Sequence, residues 1–336
     1  MKKLKLTPTS KLTESEWQTL RQTFVTKGMV GGSDAGTLLG LNKYKSPINL
    51  FYQSLGLSML PNKMNHIMLH GKQLEDYVAK CWQYYDGTEE GWVANTLQNN
   101  KIKSYKKVKA IIENPEYPAL FANIDGQITK HPEYGKKKGI LEIKTISGYS
   151  ADSYEAGIPP SYLIQVQHYM LVTGFKYAEI CYLKDGRDLG VVTFDADFEL
   201  QASILREANG FYNRVAEARQ VMEEYIATTN NYETEDLYGV VAHLEPPADD
   251  SDAFNQFMSE KHKARESDIV MQGDQSTQDI AIAYKLASEN VKIAESNKQL
   301  LQNKLKQIME QNNAAVMMLP DGKITWRKQF LVTLNK

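Results

Sequence analysis

The spacing of apolar residues predicts helices at both ends of a strand-rich segment. In TESEWQTLRQTF a Thr followed by a Glu precedes an apolar-periodic stretch, which predicts a helix that begins near Glu14. Apolar residues recur at helical spacing between Met64 and Tyr85, which predicts a long core helix containing Ile67. From Gly91 to Ile146 the pattern changes to short apolar runs separated by turn residues, which is typical of strands.

Helix and strand patterns alternate further along the chain. SYLIQVQHYMLVTG predicts a helix that ends at Gly174, and YAEICYLKDGRDLGVVTFD predicts a hairpin that turns at Asp185 to Arg187. FELQASILREANGFYNRVAEARQVMEEYIA predicts a long helix. The order of these elements predicts an α/β fold in which a central mixed β-sheet is flanked by helices.

The last third of the chain predicts a different architecture. LEPPADDSDA is rich in Pro and Asp, which is typical of a linker. Apolar residues then fall alternately four and three residues apart from Ile280 to Ile308, interrupted by Lys298, which predicts an amphipathic helix whose apolar stripe needs a partner. AAVMMLPDGKITWRKQF predicts a small β-hairpin around Pro-Asp-Gly.

These patterns predict three regions. Residues 1–240 form the α/β domain, and residues 241–278 form a linker with a short helical segment. Residues 279–336 form the amphipathic helix and terminal hairpin, a region for partner binding or self-association.

Length and composition fit a folded protein of the cytoplasm. The chain has 336 residues and a hydrophobic content of 42%, enough for one large core plus an appendage. No apolar run reaches membrane-spanning length, and the start MKKLKLTPTSKLTESEW lacks an apolar secretion signal. Cys81 and Cys181 form no C-x-x-C pair, so we expect both to be buried without a metal or a disulfide.

Candidate chemistry lies in the strand ILEIKTI. A period of two places Leu141, Ile143 and Thr145 on one face. Glu142 and Lys144 then lie together on the other face, where a carboxylate beside a cation suits a metal-dependent site. A solvent-facing acid and base on an edge strand would give the same pattern.

The preceding strand favours the metal-site interpretation. FANIDGQI is apolar until Asp125 and Gly126, and an antiparallel arrangement with ILEIKTI brings Asp125 next to Glu142. Two adjacent carboxylates repel each other unless a divalent cation neutralises them, and hard oxygen ligands favour Mg²⁺ or Mn²⁺. The backbone carbonyl of Ile143 is a further candidate ligand.

This constellation resembles the PD-(D/E)XK (restriction-endonuclease-like) nuclease superfamily. HGKQLEDYV lies ahead of the strands, YLIQVQHYM follows them, and GGSDAGTLLGLNKYKSP lies near the N-terminus. In this order the motifs resemble the lambda-exonuclease branch, the YqaJ-like viral recombinase family, over about Glu16 to Thr193. The resemblance implies a PD-(D/E)XK nuclease core for residues 1–240.

The resemblance also implies a role for each motif residue. Asp125 and Glu142 would hold Mg²⁺, for which Mn²⁺ substitutes, and Glu75 would complete the acidic cluster. Lys144 would orient or polarise the attacking water, and Gln165 would lie against the lysine and the water. Because Gln165 and Gln167 are two apart on a helix, only one of them is expected at the site.

Relatives that degrade DNA from a phosphorylated end hold the 5′-phosphate with an Arg and a Ser. Arg21 and Ser33 occupy comparable positions here, although their separation is longer than in lambda exonuclease, which weakens the case for Arg21. Ser33 also suits a cap for a helix that begins near Ala35. The glycine-rich stretch lacks the Gly-Lys-Ser/Thr ending of a nucleotide-binding loop.

Other polar and aromatic residues leave two interpretations open. The basic run KIKSYKKVK suits either a phosphate backbone or a solvated sheet edge. The histidines lack metal-ligand spacing and are expected at the surface or partly buried. Tyrosines near the motifs suit either base stacking or ordinary packing. The histidines are His66, His70, His131 and His168, and the tyrosines are Tyr44, Tyr149 and Tyr154.

By resemblance, the chain is a metal-dependent 5′ to 3′ exonuclease. It would digest one strand of linear duplex DNA and leave 3′ single strands for phage-type homologous recombination. Implied partners are double-stranded DNA ends, further copies in a homo-oligomer such as a ring-shaped trimer, and a single-strand annealing protein. The alternatives are a structure-specific or restriction-like DNA endonuclease, and a non-catalytic DNA-binding or assembly protein with a vestigial site.

Overall fold

The chain folds into two compact units, Met1–Glu266 and Ser267–Lys336. The computed structural model describes residues 3–42, 44–57, 65–147, 158–263, 270–327 and 329–334. Tyr149 and Tyr154 lie outside these ranges.

Helices and strands alternate along the first unit, as the sequence predicts. The helices are α1 (Glu14–Val25), α2 (Gly32–Leu38), α3 (Pro47–Leu55), α4 (His66–Trp82), α5 (Glu89–Leu97), α6 (Pro160–Thr173), α7 (Phe198–Thr229), α8 (Thr234–Val240) and α9 (Asp252–Lys263). The strands are β1 (Lys5–Pro8), β2 (Ser104–Lys107), β3 (Ala110–Glu113), β4 (Phe121–Ala122), β5 (Gly126–Lys130), β6 (Gly139–Ile146), β7 (Tyr177–Lys184) and β8 (Asp188–Asp195).

A five-stranded mixed sheet forms the centre of this unit. Its strand order is β2-β5-β6-β7-β8, and a smaller sheet has the order β1-β3-β4. Strand β6 pairs in parallel with β7 and antiparallel with β5, so β6 lies inside the sheet. Helices cover both faces, which confirms the predicted α/β fold with a central mixed sheet flanked by helices.

Helix ends follow local sequence signals. Helix α1 starts with a capping box in which Thr13 accepts from the Glu16 N–H and the Glu16 carboxylate accepts from the Thr13 N–H. Helix α6 ends at Gly174, whose φ of 75° lies in the left-handed region that favours glycine. The predicted hairpin between β7 and β8 turns at Asp185 and Gly186, which also have positive φ.

Each face of the sheet has its own apolar core. On one face, Val78 and Trp82 of α4 pack with Leu141, Ile143 and Cys181. Helices α6 and α7 cover the other face. The residues buried there include Ile140, Ile146, Val166, Met170, Ala178, Ile180, Ile204 and Phe211. Successive residues of β6 therefore alternate between two buried faces.

Two details of the predicted helices and strands are wrong. Ile67, expected in the core, is 67% exposed because only the C-terminal turns of α4 contribute buried side chains. The strand pattern was expected from Gly91 onward, yet residues 89–97 form α5. Thr88 caps this helix by accepting from the Gly91 N–H, and the acidic residues of its first turn favour its N-terminus.

A buried polar cluster lies under α4, and its acid, Glu179 of β7, pairs in register with Leu141 of β6. The Glu179 carboxylate accepts from Trp82 Nε1 at 2.6 Å and Lys103 Nζ at 3.1 Å. His131 Nε2 lies 3.1 Å from the same carboxylate, while its Nδ1 accepts backbone N–H bonds, so Nε2 carries the proton. His131 and His168 are therefore buried, contrary to expectation, whereas Cys81 and Cys181 are buried as predicted.

Helix α9 belongs to the first unit. The Phe257 ring stacks on Tyr52 of α3 with centroids 5.0 Å apart, and Lys261 Nζ donates to the Tyr52 hydroxyl at 3.0 Å. Part of the predicted linker is thus packed against the core. The domain boundaries at residues 240 and 278 remain predictions.

The second unit combines a 37-residue helix with a small antiparallel sheet. Helix α10 spans Gln275–Gln311, and strands β9 (Val316–Leu319), β10 (Gly322–Trp326) and β11 (Phe330–Leu334) follow in the sheet order β11-β10-β9. The predicted hairpin is β9–β10, extended by a third strand. Many apolar side chains of α10 are exposed within this unit. Among the described helices, none has the length and apolarity needed to cross a membrane.

His168 on α6 makes the stability of the first unit sensitive to acid. Its Nε2 lies 2.9 Å from the Phe121 carbonyl, and burial lowers its pKa from 6.5 to about 4. The unfolded chain therefore takes up this proton near pH 6.5, but the folded chain only near pH 4. The stability gained from the neutral ring is complete above pH 6.5 and is lost as the pH falls toward 4.

His168→Gln should reduce this acid sensitivity, because an amide N–H can still donate to Phe121 but does not titrate. Between pH 7 and pH 5 we expect the native chain to lose about 2 kcal/mol more unfolding free energy than the variant. Urea denaturation at both pH values measures this difference. The control His70→Gln changes an exposed histidine, and equal losses in native chain and His168→Gln would contradict the assignment.

Candidate functional site

The site is built where β5 ends beside the continuing strand β6. Gly126 pairs with Leu141, which brings Asp125 opposite Glu142, as predicted from the antiparallel pattern. The Ile143 N–H donates to Asp125 Oδ2 at 2.8 Å. Because N–H and C=O of one residue in a strand point to the same edge, the Ile143 carbonyl also faces the Asp125 side.

Glu142 and Lys144 point to the face of β6 that α6 covers. Glu142 is 3% exposed, and Lys144 Nζ donates to its Oε1 at 2.7 Å. The Lys144 ammonium also lies 4.8 Å from the centre of the Tyr162 ring. The alternative of a solvent-facing pair on an edge strand is therefore wrong, because β6 is an internal strand.

Gln165 of α6 locks this pair in position. Its Nε2 donates to Glu142 Oε1 at 2.7 Å and to the Tyr169 hydroxyl at 2.9 Å, while its Oε1 accepts from Lys144 Nζ at 3.0 Å. Gln167 faces elsewhere, donating to the Asp195 carbonyl and accepting from the Asp197 N–H. One glutamine of the pair thus reaches the site, as predicted.

The carboxylates are electrostatically unfavourable without a cation. Burial raises the pKa of Asp125 well above its ordinary value, and the charges of Glu142 and Glu75 raise it further. Burial also raises the pKa of Glu142, although Lys144 opposes this rise. Burial disfavours the charged form of Lys144, but attraction to Glu142 and Asp125 outweighs it and raises the pKa, so the lysine stays protonated.

Glu75 approaches from α4, on the opposite face of the sheet. Gly71, one turn earlier, lets α4 lie close to β6, since a Cβ there would come within 2.9 Å of Thr145 Oγ1. The Glu75 Oε1 is 3.1 Å from Lys107 Nζ, which also contacts Asp76 Oδ1 at 2.7 Å. The structure therefore places Glu75 near the other two carboxylates but in an ion pair with a lysine.

Asp125 and Glu142 are the main donors available to a cation at this site. Among the described residues, no group of three or more His, Cys, Asp or Glu side chains is arranged to hold a metal ion. Asp125 and Glu142 nevertheless form an adjacent pair, and Glu142 Oε2 is buried without a hydrogen-bond partner. An unpaired buried carboxylate oxygen beside a second carboxylate fits a hard cation, with the Ile143 carbonyl at the same edge.

Helix α2 carries the predicted phosphate-binding serine. The helix starts at Gly32, so Ser33 lies in its first turn and does not cap a helix near Ala35 as expected. Gly32 allows α2 to contact α6, because a Cβ there would lie 2.3 Å from Tyr169 Cε1. Gly32 of this motif thus serves helix packing, and Arg21 Nη2 lies 3.4 Å from Ser33 Oγ.

Arg21 and Ser33 line a cleft of about 980 Å³ between α1, α2 and the start of α4. Tyr44, which is 92% exposed, also lines the cleft. Lys72 of α4 contributes to its wall, and Glu75 follows three residues later on the same helix surface. The wall of the cleft on α4 therefore ends about one helical turn before Glu75.

Sequence reasoning missed three polar residues beside these motifs. Asp34 bonds to both Arg21 and Lys45, and Lys107 pairs with Glu75. Asp34 follows Ser33 directly in the quoted motif, and Lys107 belongs to the quoted basic run. The sequence thus contains both residues within its motifs but does not show which residues they pair with. Their roles arise from contacts between distant segments, which one sequence does not reveal.

The motifs, their order and their geometry agree with one family. Residues 16–176 match the YqaJ-like viral recombinase domain. The match confirms the resemblance drawn from the sequence, and it spans the segment from α1 to the end of α6. The chain is also 27% identical over 308 residues to the uncharacterised protein YqaJ of Bacillus subtilis (strain 168), covering 91% of this chain and 81% of that protein.

Solved structures of exonucleases are similar to part of the chain. An alkaline exonuclease (LHK-Exo) from Laribacter hongkongensis is 19% identical with a TM-score of 0.46, covering 62% of this chain and 98% of that one. A phage related exonuclease from Haemophilus somnus 129PT is 16% identical with a TM-score of 0.39, covering 56% of this chain and 95% of that one.

Asp125→Asn should stabilise the metal-free chain. The amide oxygen still accepts from Ile143, but the repulsion by Glu142 and Glu75 disappears. At pH 8 in EDTA we expect the unfolding free energy to rise by about 1 kcal/mol, measured by urea denaturation. The exposed-site control Asp188→Asn should have little effect, and a less stable Asp125→Asn would show that the carboxylate serves the fold itself.

Proposed function

We propose that the chain is a metal-dependent exonuclease that digests one strand of linear duplex DNA from its 5′ end and leaves 3′ single-stranded overhangs for phage-type recombination. The observation that carries this proposal is the buried Glu142–Lys144–Gln165 network beside Asp125. The match to the YqaJ-like viral recombinase domain agrees with this proposal, and the polarity comes from the family resemblance.

A role in hydrolysis explains the network better than a role in stabilising the fold. A buried carboxylate pair with raised pKa values costs stability, and such strain is concentrated at functional sites. The buried Glu179 cluster offers a contrast, because each of its partners donates to one carboxylate and the pKa of Glu179 is lowered against the opposing effect of burial. In a vestigial site, nothing would offset the cost of a buried carboxylate oxygen that has no hydrogen-bond partner.

Each residue of the network has a chemical task. Asp125, Glu142 and the Ile143 carbonyl would hold Mg²⁺, or Mn²⁺ in its place, with Glu75 joining them once Lys107 releases it. Lys144, fixed by Glu142 and Gln165, would orient the attacking water and stabilise negative charge on the phosphoryl oxygens. Its raised pKa makes it a donor and not a proton acceptor.

When bound, the divalent cation would supply Lewis-acid stabilisation of the phosphate and lower the pKa of the attacking water. The protein's own contribution is to exclude bulk water and to hold the lysine charge at a fixed point. Electrostatic preorganisation of this kind is commonly worth about 3 to 4 kcal/mol of transition-state stabilisation per donor.

The partners follow from this activity. Double-stranded DNA ends are the proposed substrate, with the cleft beside α1 and α2 as the place for the 5′ terminus. We further propose a homo-oligomer, such as a ring-shaped trimer, and a single-strand annealing protein as a partner. The exposed apolar side chains of α10 are available for such assembly within the second unit.

Lys144→Ala should lower the rate of nucleotide release from a linear 5′-phosphorylated duplex in Mg²⁺ by about a hundredfold or more. A label at the 3′ end of the digested strand should stay in high-molecular-weight DNA until late, and EDTA should abolish release. The exposed control Lys263→Ala should keep the native rate.

Three outcomes of this assay would count against the proposal. Early release of the 3′ label would reverse the polarity. Cutting of closed circular DNA would favour an endonuclease. Absence of release by the native chain in both Mg²⁺ and Mn²⁺ would favour a non-catalytic DNA-binding protein.

Lys107→Met should strengthen cation binding, because Lys107 competes with the metal for Glu75. A partly exposed ion pair is worth up to about 1 kcal/mol, so we expect the dissociation constant for Mn²⁺ to fall about twofold to fivefold in isothermal titration calorimetry. Lys106→Met, which removes the preceding charge on β2, is the matched control. Unchanged or weaker binding in Lys107→Met would remove Glu75 from the ligand set.

A further inference from the structure

Asp34 is a buried carboxylate with a cation on each oxygen. It is 4% exposed, its Oδ2 accepts from Arg21 Nη2 at 2.8 Å, and its Oδ1 accepts from Lys45 Nζ at 2.8 Å. Arg21 comes from α1, whereas Lys45 lies just before α3. One side chain of α2 therefore brings together cations from two separate segments at the wall of the cleft.

Both cations keep donor capacity for a ligand. Arg21 uses Nη2 for Asp34 and Ser33, leaving Nε and Nη1 without a partner among the described residues. Lys45 Nζ uses two donors, for Asp34 and for Gln53 Oε1 at 2.8 Å. Its third donor has no partner in the described part of the chain. The two cations and the Ser33 hydroxyl line the same cleft.

We propose that Asp34 is a positioning residue that holds Arg21 and Lys45 so that they bind, together with Ser33, the terminal phosphomonoester of a DNA strand. Lys45 is thereby a phosphate-binding residue in addition to the predicted Arg21 and Ser33. This inference rests on the proposed function, because it assigns the strand terminus to the cleft beside the hydrolytic site.

The charge state of Asp34 agrees with a role in holding Arg21 and Lys45 in place. Burial opposes ionisation of Asp34, but attraction to Lys45 and Arg21 outweighs it and lowers the pKa to about 2. Asp34 is therefore ionised at any pH at which DNA is duplex, and both cations stay bound to it. Two cations side by side suit a phosphomonoester dianion better than the single charge of an internal phosphodiester.

The test measures binding of a DNA end without cleavage. A hairpin oligonucleotide with a fluorophore in its loop presents one duplex end, carrying either a 5′-phosphate or a 5′-hydroxyl. Fluorescence anisotropy with the full chain in EDTA gives the two dissociation constants. Because the added phosphate accepts charge-assisted hydrogen bonds, we expect the native chain to bind the phosphorylated end roughly tenfold or more tightly.

Asp34→Asn separates positioning from simple electrostatics. Removal of a negative charge from an anion-binding cleft would, by Coulomb attraction alone, increase affinity for the phosphorylated end. The proposal predicts the opposite, with the preference falling to about twofold or less because Arg21 and Lys45 lose their common anchor. A retained or increased preference would overturn the positioning role.

The proposed phosphate site of Arg21, Ser33, Asp34 and Lys45 is called the clamp. If Asp34→Asn does not fold, Lys45→Met tests the clamp, and it should also lose the preference. Two controls match these variants. Glu179→Gln alters another buried carboxylate that is bound by several side-chain donors, and Lys5→Met removes an ion-paired lysine on β1; both should keep the preference. Retention of the preference by Lys45→Met would overturn the assignment of Lys45.

The clamp and the nuclease proposal fail in different ways. Equal binding of the two ends by a native chain that digests linear duplex overturns the clamp and leaves the nuclease in place. Preferential binding of the phosphorylated end by a native chain that releases no nucleotides overturns the nuclease and leaves the clamp in place.

Discussion

The hydrogen bond from the Ile143 N–H to the Asp125 carboxylate is the contact on which the candidate site depends. Backbone pairing between β5 and β6 ends at Gly126 and Leu141. Beyond this pair, the Asp125 side chain accepts the hydrogen bond of the Ile143 N–H. Because a side chain replaces the backbone partner here, the two strands stay together while the Ile143 carbonyl remains outside the backbone pairing. A carboxylate thereby serves both the sheet and the chemistry, at the position where the strands would otherwise continue their ladder.

The sequence was most informative where a short-range pattern controls geometry. A period of two placed Glu142 and Lys144 on one face, and an antiparallel connection placed Asp125 beside them. The sequence was least informative where contacts join distant segments. The pairing of Glu75 with Lys107 and of Asp34 with Lys45 depends on how α4 meets β2 and how α2 meets the loop before α3. Helix α5 was missed because a local cap outweighed a strand-like composition.

Two buried acids show how the same residue type acquires opposite properties in one fold. The Glu179 carboxylate is surrounded by donors from Trp82, Lys103 and His131, and it stabilises the packing of α4 on the sheet. The Glu142 carboxylate has donors on one oxygen only, and its second oxygen is buried without a partner. Burial is thus common to both acids, and they differ in that both oxygens of Glu179 have donors whereas one oxygen of Glu142 has none.

The contact between Gly32 and Tyr169 connects the wall of the cleft with the candidate site. No side chain fits between α2 and α6 at this point, and the Tyr169 hydroxyl accepts from the glutamine that holds Lys144. Ser33 and Asp34, which follow Gly32, cannot shift along the cleft without displacing that tyrosine. The packing of α2 on α6 therefore couples the position of Ser33 and Asp34 to that of the network around Lys144.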